Sequence, residues 1–240
     1  MKKNYDIVVV GCGYTGLTAA TELIDKGFSV LVIEKSSFIG GLGSIIKLSN
    51  GSFCESFYHH FFTHDQSLIK YTKRFLNIKP TFKETKMSIF FKGKHHSWNG
   101  LIDLIKYPHI ELMGKFRFIL ATILLSKKVL SRNFLDNVSL SEGLEKLYGK
   151  NSFKSVWRPM IKGKFGNKVK NIPLRWMQGR LKQRIESRKG GKEQLGFIEG
   201  SLNRLTYKIE EFIKLENSDI LKNANISDLE WDKKNRKYNI

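Results

Sequence analysis

The sequence has little cysteine, no long hydrophobic run and few acidic residues through its middle, and each scarcity removes a class of protein. Cys12 and Cys54 are the only cysteines in 240 residues, and they stand in no CxxC or metal-ligand spacing. That excludes a disulfide framework and implies a reducing, cytoplasmic setting. The longest apolar run, Phe118 to Leu125, is bounded by Arg117 and by Ser126-Lys127-Lys128. It falls far short of the roughly 20 residues needed to span a bilayer, so no transmembrane helix is expected. Met1-Lys2-Lys3 leads directly into a β-branched strand, which argues against a cleaved signal peptide.

Acidic residues are scarce only in the middle. Residues 61–200 carry 29 Lys and Arg against 10 Asp and Glu, while both flanks are nearly balanced. The net charge of +20 is therefore a property of the middle. Such a field favours anionic partners: phosphorylated or carboxylated substrates, or the anionic inner face of a membrane. A solvated lysine-rich surface without a partner is the other reading. Nucleic acid is not expected, because no recognition motif accompanies the charge.

What is present is concentrated at the start. Tyr5 to Glu34 reads as strand, glycine turn, helix and second strand within about 30 residues. Gly11, Gly13 and Gly16 form a GxGxxG where the strand Tyr5 to Val10 turns into a helix carrying Leu17, Ala20 and Leu23 on one face. Gly11 permits the tight turn, Gly13 lets the backbone approach a pyrophosphate, and Gly16 lets the helix lie close to the sheet. The helix start, at Tyr14 and Thr15, offers unpaired N–H groups to phosphate. Glu34 ends the second strand, Ser29 to Ile33, about 20 residues beyond the glycines. An acid there accepts from ribose hydroxyls and disfavours a 2'-phosphate. Cys12 reads as a small tolerated side chain.

A second glycine cluster, Gly40-Gly41-Leu42-Gly43, follows Glu34 and Lys35. Glu34 to Gly41 resembles the E-x(5)-G-G segment of the FAD-dependent amine oxidase superfamily, which includes protoporphyrinogen oxidases, phytoene-type desaturases and, more distantly, UDP-galactopyranose mutases. An Arg often follows the diglycine there, and Leu42 replaces it here. Trp157-Arg158-Pro159 through Lys164-Phe165-Gly166, followed by Trp176, Arg180 and Arg184, is similar to a segment of bacterial protoporphyrinogen-oxidase-like enzymes.

The resemblance implies an α/β fold: a Rossmann-like FAD-binding domain with an inserted, mostly helical substrate domain, incomplete at the C-terminus. Residues 1–62 would begin the FAD domain, 63–195 form the helical domain, and 196–240 return to the FAD domain. FAD would be held by Gly11, Gly13, Tyr14, Thr15, Gly16, Glu34, Lys35, Gly40, Gly41 and Leu42. Ile226, at the end of a strand expected over Ile220 to Ile226, would lie by the adenine. The implied activity is hydride transfer from a small lipophilic or anionic substrate to FAD. A nucleotide-sugar mutase, or a non-catalytic FAD-binding fragment completed by another polypeptide, are the alternatives.

Phe53 to Asp65 is dense in aromatic residues and histidines. Adjacent His59 and His60 in an extended segment point to opposite faces, so one ion could not take both without a bend, and no metal is expected. By the resemblance one of them, with His60 the candidate, faces flavin or substrate; aromatic core with one satisfied histidine is the plain reading. Lys164 is a second candidate. Arg180 and Arg184, at i and i+4, suit a substrate anion or form a solvated face.

The remaining pattern gives a helix from Ser67 stopping before Pro80, strands at Met87 to Phe91 and Lys94 to Trp98 with His95 and His96 exposed, and helices at Leu101 to Tyr107 and Ile110 to Lys128. The last of these is apolar around most of its circumference, as in a core helix or an interfacial one. Ser139 with Glu142 spells a capping box, closed by Gly149. A helix at Leu202 to Lys214 and a hairpin in Leu229 to Ile240 end the chain.

Overall fold

The computed structural model describes residues 4–57, 59–127, 129–227 and 229–239. Met1 to Lys3, Tyr58 of the aromatic segment, Lys128 at the end of an expected helix, Asp228, and Ile240 at the end of the expected hairpin lie outside them.

The chain opens with β1 (Ile7–Val10), α1 (Tyr14–Ile24) and β2 (Val30–Ile33), then the short strands β3 (Ile45–Lys47), β4 (Phe53–Glu55) and β5 (Phe61–Phe62). α2 (Gln66–Leu76), β6 (Thr81–Glu84), β7 (Ser88–Phe91) and β8 (Lys94–Ser97) lead into α3 (Leu101–Lys106), α4 (Leu112–Ser126), α5 (Arg132–Asn137) and α6 (Leu140–Tyr148). α7 (Lys150–Ser152), a π-helical stretch at Phe153–Trp157, α8 (Arg158–Phe165) and α9 (Arg175–Glu186) complete the helical run. β9 (Arg188–Lys189), β10 (Lys192–Phe197), α10 (Asn203–Leu215), β11 (Asp219–Leu221), β12 (Glu230–Asp232) and β13 (Lys237–Asn239) follow.

Two compact units result. The first comprises Met1–Phe61, Asp65–Thr81 and Gly196–Ile240; the second comprises Phe62–His64 and Phe82–Leu195. The sequence placed the first passage at 62/63, but α2 stays with the first unit. Its Phe75 ring meets Phe212 of α10 edge-on at 5.5 Å, its Tyr71 hydroxyl donates to Glu22 at 2.6 Å, and Arg74 pairs with Asp25.

In the first unit β2 lies between β1 and β11, with both pairings parallel, Val9 opposite Val32 and Ile220 opposite Val32 from the other side. Val30 and Val32 on one face of β2 and Ile33 on the other are buried, as in a parallel strand covered on both faces. Leu17 and Ala20 of α1 and Leu205, Ile209 and Ile213 of α10 are fully buried and supply the helical side of this core. β11 stops at Leu221, short of the expected Ile226, because Asn223 turns into the left-handed region at φ +55°. β12 and β13 form the expected hairpin.

The second unit is a helical body with the hairpin β7–β8, whose turn uses Lys92 and Gly93 at φ +50° and +76°. Its core gathers Leu125, Leu135, Leu140, Leu144 and Leu174 around an aromatic cluster in which Trp157 stacks on Phe118 at 5.6 Å and meets Tyr148 at 4.8 Å. The π-helical stretch has a local cause. Pro159 cannot donate to the carbonyl of Ser155 four residues back, and the Tyr107 hydroxyl donates to that oxygen instead at 3.3 Å. Ser139 caps α6 by accepting from the Glu142 N–H, but the Glu142 carboxylate pairs with Lys146 at 2.8 Å, so only half of the capping box forms. His96 is half-buried rather than exposed, edge-on to Tyr107 and His109, each at 5.1 Å.

Candidate functional site

Two glycine turns meet in the first unit. Gly11 takes φ +94°, where an L side chain is strained, and its N–H donates to Ile33 at 2.7 Å, closing the turn against β2. Gly13 begins α1 and forms a bridge with Gly40, whose N–H donates to the Cys12 carbonyl at 2.8 Å. A Cβ on Gly16 would stand 1.9 Å from the Gly11 oxygen, so only glycine lets α1 approach its own turn. A Cβ on Gly13 would meet no protein atom within 4 Å. Packing thus demands glycine at 16 and leaves open space at 13.

That space is a hollow of about 520 Å³ lined by Gly13, Tyr14, Thr15, Gly40, Leu42 and His59, among others. No side chain caps α1, so its first-turn N–H groups stay available to an anion. Leu42 is 69% exposed at the rim. The Tyr14 backbone opens the helix, but its side chain belongs elsewhere: the hydroxyl donates to the Leu202 carbonyl at 2.8 Å and lies 2.7 Å from the Thr206 hydroxyl, tying α1 to α10. Burial raises that phenol well above its ordinary range.

Glu34 ends β2 as expected and grips the glycine turn. Its carboxylate accepts from the Cys12 N–H at 2.7 Å and the Ser36 N–H at 2.8 Å. Burial pushes this carboxyl up, yet the two backbone donors and neighbouring Lys35 outweigh it, and the net direction is down. The group is ionised at neutral pH. The Cys12 thiol is pushed up to about 12, first by burial and then by Glu34 and Glu210, so it is a protonated, inert filler. Beyond β11 the chain is pinned to the same corner: Asn223 donates to Ser36 at 3.1 Å and Ala224 to Glu34 at 3.0 Å. Ile226, half-buried, lies two residues past that clamp.

Of the histidine pair, His59 lines this hollow and a second one of about 510 Å³ beside Glu55, Arg204 and Tyr207; His60 lines neither. Among the described residues no His, Cys, Asp or Glu cluster has metal-holding geometry. In the second unit Lys164 and Arg180 converge on one indole, each 5.8 Å from the Trp176 ring. Arg184 does not join them. It pairs at 2.9 Å with Glu193, whose side chain is 3% exposed, and so answers a buried charge instead of a substrate anion.

Sequence reasoning missed the apolar floor of the hollow: Leu68, Tyr71, Leu202 and Leu205. Leu68, Tyr71 and Leu202 were read only as parts of helical stretches, and nothing in periodicity separates a lining residue from a core one. Glu210, buried on α10 between Lys214 and Lys222 at 2.8 Å each, was also missed.

The family model of the flavin containing amine oxidoreductases matches residues 14–240. The chain belongs to that family. Its cofactor is FAD. A Mycobacterium tuberculosis protein assigned as the flavin-containing monoamine oxidase AofH is 27% identical over 181 residues, covering 70% of this chain and 38% of the relative. A variant of putrescine oxidase superposes with a TM-score of 0.72 at 18% identity, over 95% of this chain and 52% of that one. A protein from Exiguobacterium sp. 255-15 assigned as a protoporphyrinogen oxidase gives 0.63 at 17% identity, over 95% and 54%. The chain thus spans about two fifths of the curated relative and about half of each solved one. At such identities the superpositions speak for the fold.

The residues present fit FAD. Gly13 leaves room that a side chain would fill, the start of α1 carries uncapped donors, and an ionised Glu34 stands at the end of β2.

Proposed function

We propose that this chain is the cofactor-binding and substrate-facing portion of an FAD-dependent oxidoreductase that takes hydride from a small organic molecule. The observation that carries it is the Gly13–Gly40 bridge, which sets two glycine turns and an uncapped helix start around one hollow. Gly11, Gly13, Thr15, Gly16, Gly40, Gly41, Leu42 and the Tyr14 backbone would hold the cofactor, with Glu34 and Lys35 toward its ribose and Ile226 toward its adenine. Bound there, the flavin supplies a two-electron acceptor. In the first unit His59 or His60 is the candidate for contact with flavin or substrate; in the second, Lys164 and Arg180 are the candidates, and their paired cations on Trp176 suit a carboxylate or phosphate.

The rest of the family fold would come from polypeptide beyond these 240 residues, in the same chain or a separate one. Free Cys12 and Cys54 support a cytoplasmic, reducing setting. Among the described residues no helix is long and apolar enough to cross a membrane, and contact with the inner membrane face would be peripheral. Purified chain should show flavin absorbance, or acquire it when FAD is added and excess removed. A chain that stays colourless after that treatment would sink the proposal. A yellow chain that is not bleached anaerobically by any amine or other organic reductant would reduce it to a non-catalytic FAD carrier.

A further inference from the structure

α4 is apolar on two opposite faces, and its own unit uses only one. Phe118, Ala121 and Leu125 are buried in the core, whereas Leu112, Met113, Phe116, Leu120 and Ile123 are exposed. At 3.6 residues per turn these five occupy about 100° of the helix surface, opposite the buried stripe. Leu112, Met113 and Phe116 are 82%, 76% and 66% exposed, values unusual for such large side chains. α3 extends the surface with Leu101, Ile102 and Ile105, all more than half exposed. Lys115 of α4 donates to the Ile105 carbonyl, which joins the two helices.

The surface runs along a helix, and its unit is strongly cationic. Lys106 ends α3, Lys127 follows α4, and the segment Phe82–Leu195 carries 25 Lys and Arg against 8 Asp and Glu. Two acids adjoin the face: Asp103 of α3, whose carboxylate is engaged by the Ser97 hydroxyl and the Asn99 N–H, and Glu111 at the start of α4, which accepts from Asn151. A bilayer with anionic headgroups offers both complements at once, acyl chains for the exposed apolar side chains and negative charge for the cationic unit. We propose that the exposed face of α3 and α4 docks this protein onto anionic lipid bilayers. The inference does not rest on the flavin reading, since a colourless chain would bind equally.

The test is flotation of the full chain with vesicles of equimolar phosphatidylglycerol and phosphatidylcholine, or of phosphatidylcholine alone, at low and high salt. Binding to the anionic vesicles should exceed binding to the neutral ones by at least about tenfold and weaken with salt. The variant Leu112→Ser/Met113→Ser/Phe116→Ser should lose about tenfold of that binding with its melting temperature unchanged. A Phe116→Trp variant, which keeps the face apolar, should bind normally and shift its added emission to the blue when anionic vesicles are present. Absence of flotation, equal recovery with neutral vesicles, undiminished binding by the triple variant, or no blue shift would each overturn the proposal. So would dissociation of a dimer by the triple variant in sedimentation velocity, which would assign the face to a second copy of the chain.

Discussion

The first unit depends on how closely backbone can approach backbone, and the second on how much side chain can be gathered in one place. Around the hollow, the decisive residues are those with no side chain: Gly16 against the Gly11 oxygen, and Gly41, whose Cβ would meet Gly13 at 3.3 Å. In the helical unit the decisive residues are the bulkiest, Phe118, Tyr148 and Trp157, in mutual ring contact. The electrostatics differ in parallel. The first unit spends its charges on each other, as in Asp25–Arg74 and Glu210 with two lysines, while the second carries a large cationic surplus. A cofactor cradle needs defined empty space, whereas a helical body can tolerate loose charge on its outside.

The largest effect should come from two substitutions in one motif. Gly16→Ala places a methyl 1.9 Å from a backbone oxygen that cannot rotate away. A loss of more than about 3 kcal/mol, or failure to recover soluble protein, is expected. Gly13→Ala meets no protein atom and keeps an ordinary φ of −76°, so its unfolding free energy should change by no more than about 1 kcal/mol. Yet FAD affinity should fall at least about tenfold, because the methyl enters the space assigned to the cofactor. Urea unfolding and equilibrium FAD titration separate the two effects. If Gly13→Ala bound FAD as the parent does, the hollow would not be the cofactor site.

Next is Trp157→Ala, which removes the ring shared by Phe118 and Tyr148 and leaves a cavity in a core where its neighbours are themselves packed. The expected cost is about 3–5 kcal/mol, read from the urea midpoint of the near-ultraviolet circular dichroism. Flavin absorbance at low urea should persist, since no residue of the proposed cradle lies in that core. Loss of FAD binding in proportion to the lost near-ultraviolet signal would erase the distinction between the units.

The same contrast governs what the sequence made legible. The β1–α1–β2 run, the diglycine, the β7–β8 hairpin and the Ser139 cap are local: each is specified by residues a few positions apart, and each is found near its expected place. What the sequence hid depends on residues far apart. β11 joins β2 across nearly 190 residues, and α2 packs with α10 through Phe75 and Phe212, although its pattern alone suits either unit. Arg184 and Arg180 looked equivalent at i and i+4 until Glu193, buried on another element, claimed one of them. The hollow itself was half legible, through its glycines; its apolar floor was not, because a lining leucine and a core leucine obey the same periodicity.

The smallest effect concerns the buried acid of the first unit, and it tests whether internal charge pairing truly distinguishes that unit. Glu210 is 9% exposed and accepts from Lys214 and Lys222. Burial raises its carboxyl, but the two lysines reverse that, and its net direction is down. A carboxylate whose folded value is depressed stabilises the fold above its ordinary titration range, about 4.3, and loses that contribution as pH falls through the lower folded value. Glu210→Gln should therefore cost about 1 kcal/mol near neutral pH, since Lys214 is half exposed and can return to water. The gap between variant and parent should close as pH falls below the ordinary carboxylate range and through the depressed folded value, where the parent's carboxyl is also protonated. Urea midpoints of both proteins across that interval would settle it. A gap that stayed constant with pH would make Glu210 a packing residue, and the first unit would then owe its stability to its glycine contacts and apolar core without help from this charge cluster.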